Sequence, residues 1–148
     1  MAERGYSMIV GTVDDDGAPR ATRGWGVKVV DEDAQRVRFT MSADDEIAVG
    51  NLEGRLVALT GADVRSLKAM QMKGAVVAIG VPDDDDLQRM TAHTENFLAA
   101  VEEIDGIPPD LLRRNLPLTV VTVDVVVDEL YDQSPGPSAG AAIRGGGQ

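Results

Sequence analysis

Short apolar runs separated by acidic or glycine-containing turns fill the first half of the chain. Runs of this kind are typical of β-strands. The pattern predicts strands at residues 8–13, 19–30, 36–41, 55–60 and 69–81. The first two are joined through Asp16-Gly17, and because glycine accepts a positive φ at little cost, this turn predicts a β-hairpin.

Helical patterns interrupt and then follow these strands. Residues 43–52 predict a short helix, with acids in the first turn and Gly54 just past the end. From Pro82 onward, apolar residues recur at spacings of three and four and acids fill the first turn, which predicts a longer helix that stops at Asp105-Gly106. A short helical segment is predicted between the prolines at 109 and 117.

The last apolar stretch, residues 118–130, alternates between apolar and polar positions. Its valines share one face, while Thr122, Asp124 and Asp128 share the other. A period of two predicts a strand with one buried face and one face turned to water or to a partner. We therefore expect one domain at residues 1–133, followed by a Gly/Pro/Ala-rich C-terminal tail at residues 134–148 that contributes little to folding.

The order of these elements predicts a mainly β fold with inserted helices. Strict β–α alternation, as in a doubly wound sheet, is missing, and an antiparallel barrel suits the order better. The chain has two Phe, two Tyr and one Trp, so aliphatic side chains must supply most of the core, and one subunit buries a limited area. We expect a homodimer, because a second copy would cover further apolar surface.

Charge and composition exclude several classes of function. A formal net charge of −11 repels a phosphodiester backbone and argues against nucleic acid as a partner. The absence of cysteine excludes disulfides, thiolate nucleophiles and cysteine-bound metals. The acidic residues lie in predicted turns and helix starts, where we expect solvated side chains and no metal site. His93 is the single histidine, and its polar surroundings in the predicted helix place it on the surface.

The hydropathy of the chain also bears on its compartment. The apolar runs are far shorter than the ~20 residues of a membrane-spanning helix, and the first residues lack the apolar stretch of a signal peptide. We expect a cytoplasmic protein without a membrane partner.

Four stretches, taken in order, resemble a known family. They are residues 10–20, with an acidic turn followed by Gly17 and Pro19; residues 37–42; residues 51–59, which read Asn-Leu-Glu-Gly-Arg-Leu-Val-Ala-Leu; and residues 71–76, which read Gln-Met-Lys-Gly-Ala-Val. Their order and spacing resemble pyridoxamine 5'-phosphate oxidase-like proteins over residues 8–130. The resemblance implies a six-stranded antiparallel split barrel, dimeric, with flavin mononucleotide (FMN) in two grooves at the subunit interface.

A groove for FMN needs cations for the phosphate, polar groups at the edge of the flavin ring and an apolar wall against its face. By the resemblance, Gln71 stands where the family contacts the flavin, while Thr40 and Ser42 stand where it holds the phosphate. The candidate cofactor-binding residues are Arg20, Arg23, Trp25, Thr40, Ser42, Arg65, Gln71 and Lys73. No residue is identified as a catalytic acid or base.

The sequence departs from the family where related proteins carry a basic phosphate clamp. Residues 43–48 read Ala-Asp-Asp-Glu-Ile-Ala, and each carboxylate at ~6 Å from a dianion costs on the order of 2 to 6 kcal/mol at an effective dielectric of ~20 to 50. One hypothesis is that Arg20, Arg23 or Arg65 holds the phosphate instead, in an FMN-dependent oxidoreductase of unknown substrate. The alternative is a non-catalytic dimeric module that binds haem, a deazaflavin or no ligand.

Overall fold

A computed structural model describes residues 6–44, 49–50, 52 and 54–144. The elements follow one another in the order β1 (Tyr6–Val13), β2 (Pro19–Asp31), β3 (Arg36–Ser42), β4 (Leu56–Asp63), β5 (Ala69–Gly80), α1 (Asp84–Asp105), α2 (Pro109–Arg113), β6 (Val120–Asp132) and β7 (Ala141–Arg144).

The first six strands form a closed antiparallel ring. Neighbours follow the order β3-β2-β1-β4-β5-β6, and a further pairing of β3 with β6 closes the barrel. The closing register places Phe39 opposite Val123, and on the other side of β6 Val76 lies opposite Val125. The predicted six-stranded antiparallel barrel with helices is confirmed.

The inward-facing side chains of the barrel form one aliphatic core. Val123, Val125 and Val127 are buried on β6, as their alternation predicts, and they pack in one cluster with Phe39 and Leu59. The opposite face of β6 differs from the prediction, because Thr122 and Asp124 are also buried. Asp124 is covered by the two arginines of β3, at positions 36 and 38, which hydrogen-bond to its carboxylate.

Helix α1 begins and ends at the predicted signals. Asp83 is the N-cap and forms a capping box with Asp86, and Gly106 ends the helix with a φ of 67°. Asp86 is buried, and Lys28 of β2 forms an ion pair with it over 3.2 Å. Asp86 therefore fixes the helix start to the barrel, whereas the sequence predicts a solvated side chain.

The predicted surface position of His93 is wrong, because its side chain is only 4% exposed. Its ring stacks on Tyr6 with centroids 4.1 Å apart. Nδ1 accepts a hydrogen bond from the Gly26 N–H over 2.6 Å, and Nε2 lies 2.8 Å from the Tyr6 carbonyl oxygen, to which it donates. Both nitrogens thus hold α1 against β1 and β2, which requires the neutral ring protonated at Nε2.

Close packing at Gly26 makes this contact possible. β2 has a register shift between Trp25 and Lys28, and Gly26 there adopts a φ of 64°. A Cβ at Gly26 would lie 3.0 Å from the Met90 N. A side chain here would therefore push α1 away from the barrel.

Two predicted segments differ in detail. Half of the predicted helix at 43–52 lies outside the described residues. Val49 and Gly50 are helical, and Gly54 has a φ of 68°. In the tail, Ala141–Arg144 pairs with the end of β6 as β7, and the Gly140 N–H bonds to the Asp132 carbonyl oxygen over 2.7 Å. No described helix is long and apolar enough to cross a membrane.

Candidate functional site

A cavity of about 490 Å³ opens on the outer side of the β1–β2 hairpin. Its floor comes from β1, β2 and the end of β3, and its rim comes from the segment that follows α2. The lining residues are Ile9, Ala21, Thr22, Arg23, Trp25, Ser42, Asp44, Arg114, Asn115, Leu116 and Pro117. We call it the main cavity; its volume lies in the usual range for ligand pockets of roughly 300–1,000 Å³.

Trp25 supplies the buried apolar wall of the main cavity. The side chain is 7% exposed, and its backbone is fixed because the Thr40 hydroxyl donates to the Trp25 carbonyl oxygen over 3.2 Å. Thr40 itself is buried and does not line the cavity. Its hydroxyl therefore orients the wall rather than facing a ligand.

Two arginines bring positive charge to the main cavity. Arg23 comes from β2, and Arg114 follows the last residue of α2; both are exposed. The Arg23 guanidinium lies over the Phe97 ring, 5.5 Å from its centroid. Within the described part of the chain, neither arginine forms an ion pair, so both can meet an anionic ligand.

Asp44 is the one described acid on the cavity wall. Its carboxylate accepts hydrogen bonds from the Thr119 hydroxyl over 2.6 Å and the Leu118 N–H over 2.8 Å. These two bonds hold the pKa of Asp44 below its ordinary value, so it is ionised at neutral pH. Ser42, a predicted phosphate contact, instead accepts the Asp44 N–H over 3.1 Å. Asp45 and Glu46 lie outside the described residues.

The remaining predicted site residues lie elsewhere. Arg20 and Lys73 line a separate cavity of about 320 Å³, whose walls come from β1, β2, β4, β5 and β6. Arg20 contacts Asp14, and Lys73 lies 4.8 Å from the Tyr131 ring centroid. Gln71 and Arg65 line neither cavity. The Gln71 amide donates to Thr60, and Arg65 pairs with Glu103 of α1.

The predicted cofactor-binding residues therefore do not lie in one site. Arg23, Trp25 and Ser42 meet in the main cavity, and the segment 114–117 completes it without having been predicted. The sequence could have indicated that segment through its two adjacent arginines, Arg113 and Arg114, because neighbouring cations stand out in a chain with a net charge of −11. Arg113 pairs with Glu95 of α1 over 2.6 Å, which fixes the short helix so that the next residues reach the cavity.

No protein-family model and no curated protein matches the sequence. Similar solved structures include HupZ of Group A Streptococcus, with 16% identity and a TM-score of 0.51 over 90% of each chain. An F420 reductase has 22% identity and a TM-score of 0.51 over 87% of this chain and 91% of its own. A pyridoxamine 5'-phosphate oxidase-related, FMN-binding protein of Nostoc punctiforme has 14% identity and a TM-score of 0.42 over 90% and 76%.

The likenesses to HupZ and to the F420 reductase show the fold. The chain has the split-barrel fold that the sequence motifs predict through their resemblance to pyridoxamine 5'-phosphate oxidase-like proteins.

Proposed function

We propose that the main cavity binds FMN and that the protein is a flavin-dependent oxidoreductase. One observation carries the proposal: a buried indole wall stands beside two arginines that form no ion pair with any described residue. A flavin ring needs an apolar wall such as this indole, and a phosphate dianion needs cationic donors such as these arginines.

The lining residues suit the parts of this cofactor. Arg23 and Arg114 would hold the phosphate, Trp25 would pack against the ring, and the Asn115 amide would bond to the ring edge. Bound FMN would supply the electron and hydride transfer, whereas the protein supplies binding and orientation.

Asp44 on the cavity wall weakens the electrostatic attraction of the main cavity for a phosphate without reversing it. Two arginines against the single carboxylate of Asp44 leave the described lining with a net positive charge. The carboxylate oxygens of Asp44 are also engaged by the N–H and hydroxyl groups of residues 118 and 119, so part of its charge is already neutralised by hydrogen bonds.

A deazaflavin is the second candidate, favoured by the similar fold of an F420 reductase. Haem receives less support from the geometry, because the described lining of the main cavity includes no His, Met, Tyr or Cys to ligate iron. The absorbance spectrum of the purified protein distinguishes a flavin, a deazaflavin and a haem by their bands.

Replacing Arg23 with alanine is expected to weaken FMN binding at least tenfold, equivalent to about 1.4 kcal/mol, because the phosphate loses a charged donor. The loss should shrink in high salt, since exposed charges are screened. Quenching of FMN fluorescence in a titration measures the Kd. Arg65→Ala is the matched control, because it removes an exposed arginine outside the cavity. Equal Kd values for the two variants would rule out Arg23 as the phosphate ligand.

We also propose that the protein is a homodimer joined through the outer face of β1 and β4. Ile9, Val13 and Leu56 are 37%, 53% and 72% exposed on this face, and it borders both the main cavity and the second cavity. Such side chains lose contact with water when a second copy covers them.

Light scattering at micromolar concentration is expected to give twice the chain mass, and Leu56→Asp should give the monomer mass because it would bury an unpaired charge. Val81→Asp is the control, since Val81 is 91% exposed and lies just before α1. A monomeric wild-type protein, or a Leu56→Asp variant that remains dimeric, would refute this interface.

A further inference from the structure

A third, smaller cavity lies directly behind the wall of the main cavity. It has a volume of about 60 Å³ and lies between β2, α1 and α2. Arg23, Trp25, Asn115 and Leu116 line both spaces, so a ligand in one is adjacent to the other. We call the smaller space the annex.

The deeper walls of the annex are apolar. Phe97 and Leu98 come from α1 and Leu112 from α2, and they face Trp25 across the space. Its volume is several times the ~15 Å³ that one water needs and far below the roughly 300 Å³ of a whole-ligand pocket. The annex is therefore of a size for one group of a larger molecule. A cation in the annex would be repelled by the Arg23 guanidinium, which lines both spaces, and an anion would lose its hydration against the apolar walls with that single charge as its partner.

One buried polar side chain on the annex wall has no hydrogen-bond partner among the residues that the structure describes. Thr94 is 5% exposed, and its hydroxyl oxygen is buried without a partner. A threonine in a helix can donate to the carbonyl oxygen four residues earlier, and Thr91 of the same helix does so with Leu87 over 2.9 Å. Thr94 makes no such bond, and because its oxygen is almost fully covered, the side chain would turn about its Cα–Cβ bond to offer the hydroxyl to a group in the annex.

We propose that the annex selects the substrate: it binds a small, uncharged apolar group, of isopropyl to phenyl size, that carries one hydroxyl or carbonyl oxygen for Thr94. The group belongs to a molecule whose remainder lies in the main cavity next to Trp25. This assignment of a substrate class rests on the proposed cofactor site, whereas the binding of a small probe in the annex is measured without any cofactor.

Trp25 makes the test direct, because it is the only tryptophan and lines both cavities. Its fluorescence is followed while benzyl alcohol or toluene is added to the full chain without FMN. The wild type is expected to show saturable changes with both probes. Thr94→Val, which keeps the shape and removes the hydroxyl, should lower the affinity for benzyl alcohol relative to toluene at least fivefold.

Two further variants locate the effect. Thr91→Val is the matched control on the same helix and should leave the ratio of affinities unchanged, because Thr91 is exposed. Leu112→Phe should abolish binding of both probes by filling the annex. Thermal unfolding of Thr94→Val should match the wild type or exceed it, since the lost hydroxyl had no partner; this also establishes that the variant is folded.

The outcomes separate the two proposals. No saturable binding, or an unchanged ratio in Thr94→Val, overturns the annex as a selective subsite even if FMN binds normally. Probe binding that depends on Thr94 supports the annex, and a simultaneous failure of FMN to bind would refute only the proposed cofactor. FMN is titrated separately into Thr94→Val, where its Kd should equal that of the wild type.

Discussion

Replacing Asp124 with asparagine is expected to lower the free energy of unfolding by about 3 kcal/mol, at the lower end of the range for breaking a buried ion pair. The Asp124 side chain is 2% exposed and pairs with Arg36 and Arg38 of β3. Without its charge, two guanidiniums are left facing each other beside a buried amide. Their side chains are 36% and 30% exposed, so they can turn partly toward water, which limits the loss.

The pH dependence of stability should change with the same substitution. Burial raises the pKa of Asp124, but the hydrogen bonds and charges of Arg38 and Arg36 together outweigh it, so the pKa in the folded protein is lowered. An aspartate in the unfolded chain titrates near ~3.9. The stability from Asp124 is therefore present above that pH and is lost as the pH falls through the folded pKa. Asp124→Asn should show a weaker decline in acid.

Urea unfolding at several pH values measures both effects. Asp128→Asn is the control on the same strand, because Asp128 is exposed; its cost should stay within ~0.5 kcal/mol. If both variants lose the same small amount, the ion cluster at Asp124 does not stabilise the barrel.

Replacing His93 with phenylalanine is expected to cost about 3 kcal/mol. The aromatic contact with Tyr6 can remain, but the Gly26 N–H and the Tyr6 carbonyl lose their partners. Each buried group left without a hydrogen bond costs about 1–3 kcal/mol. Urea unfolding at pH 8 gives this loss without interference from protonation.

The wild type should also lose stability in weak acid because of His93. Burial, opposed in part by the bond to the Tyr6 carbonyl, lowers the pKa of this ring in the folded protein, whereas a histidine in the unfolded chain titrates near ~6.5. The unfolded state therefore binds the proton first, and the stability that is present above pH ~6.5 is lost as the pH falls toward the folded pKa.

A proton on Nδ1 would also face the Gly26 N–H. Since His93 is the only histidine, the decline between pH 7 and pH 5.5 should be shallower in His93→Phe. A wild type that is equally stable at both pH values would contradict the buried, neutral ring.

Local signals in the sequence predict much of the fold. The first hairpin follows from Asp16-Gly17, and Gly17 indeed adopts a φ of 83°; α1 follows from its acidic start and Gly106. The burial of His93 and Asp124 could not be predicted, because it depends on partners far away in the chain. His93 needs Gly26 and Tyr6, which reach it only when α1 lies on the hairpin.

The candidate site was predictable to a similar extent. Arg23, Trp25 and Ser42 come together because β2 and β3 are adjacent antiparallel strands. Arg114 joins them from a segment whose position is fixed by the packing of α2, and no local pattern reports that packing. Gln71 was expected by resemblance alone, yet its amide bonds within the sheet to Thr60.

Closure of the barrel by β3 and β6 has a consequence for the order of folding. The two strands are separated in sequence by β4, β5 and both helices, so β3 has an open edge until nearly the whole domain has been synthesised. Pairings between such distant segments form slowly, and open edges invite pairing between chains. Arg36 and Arg38 place two positive charges on the unpaired β3 edge. Because like charges repel, this edge is expected to pair less readily with the same edge of another nascent chain. When β6 pairs with β3, the Asp124 carboxylate neutralises both arginines. The same two charges therefore oppose pairing with another chain before closure and stabilise the barrel after it.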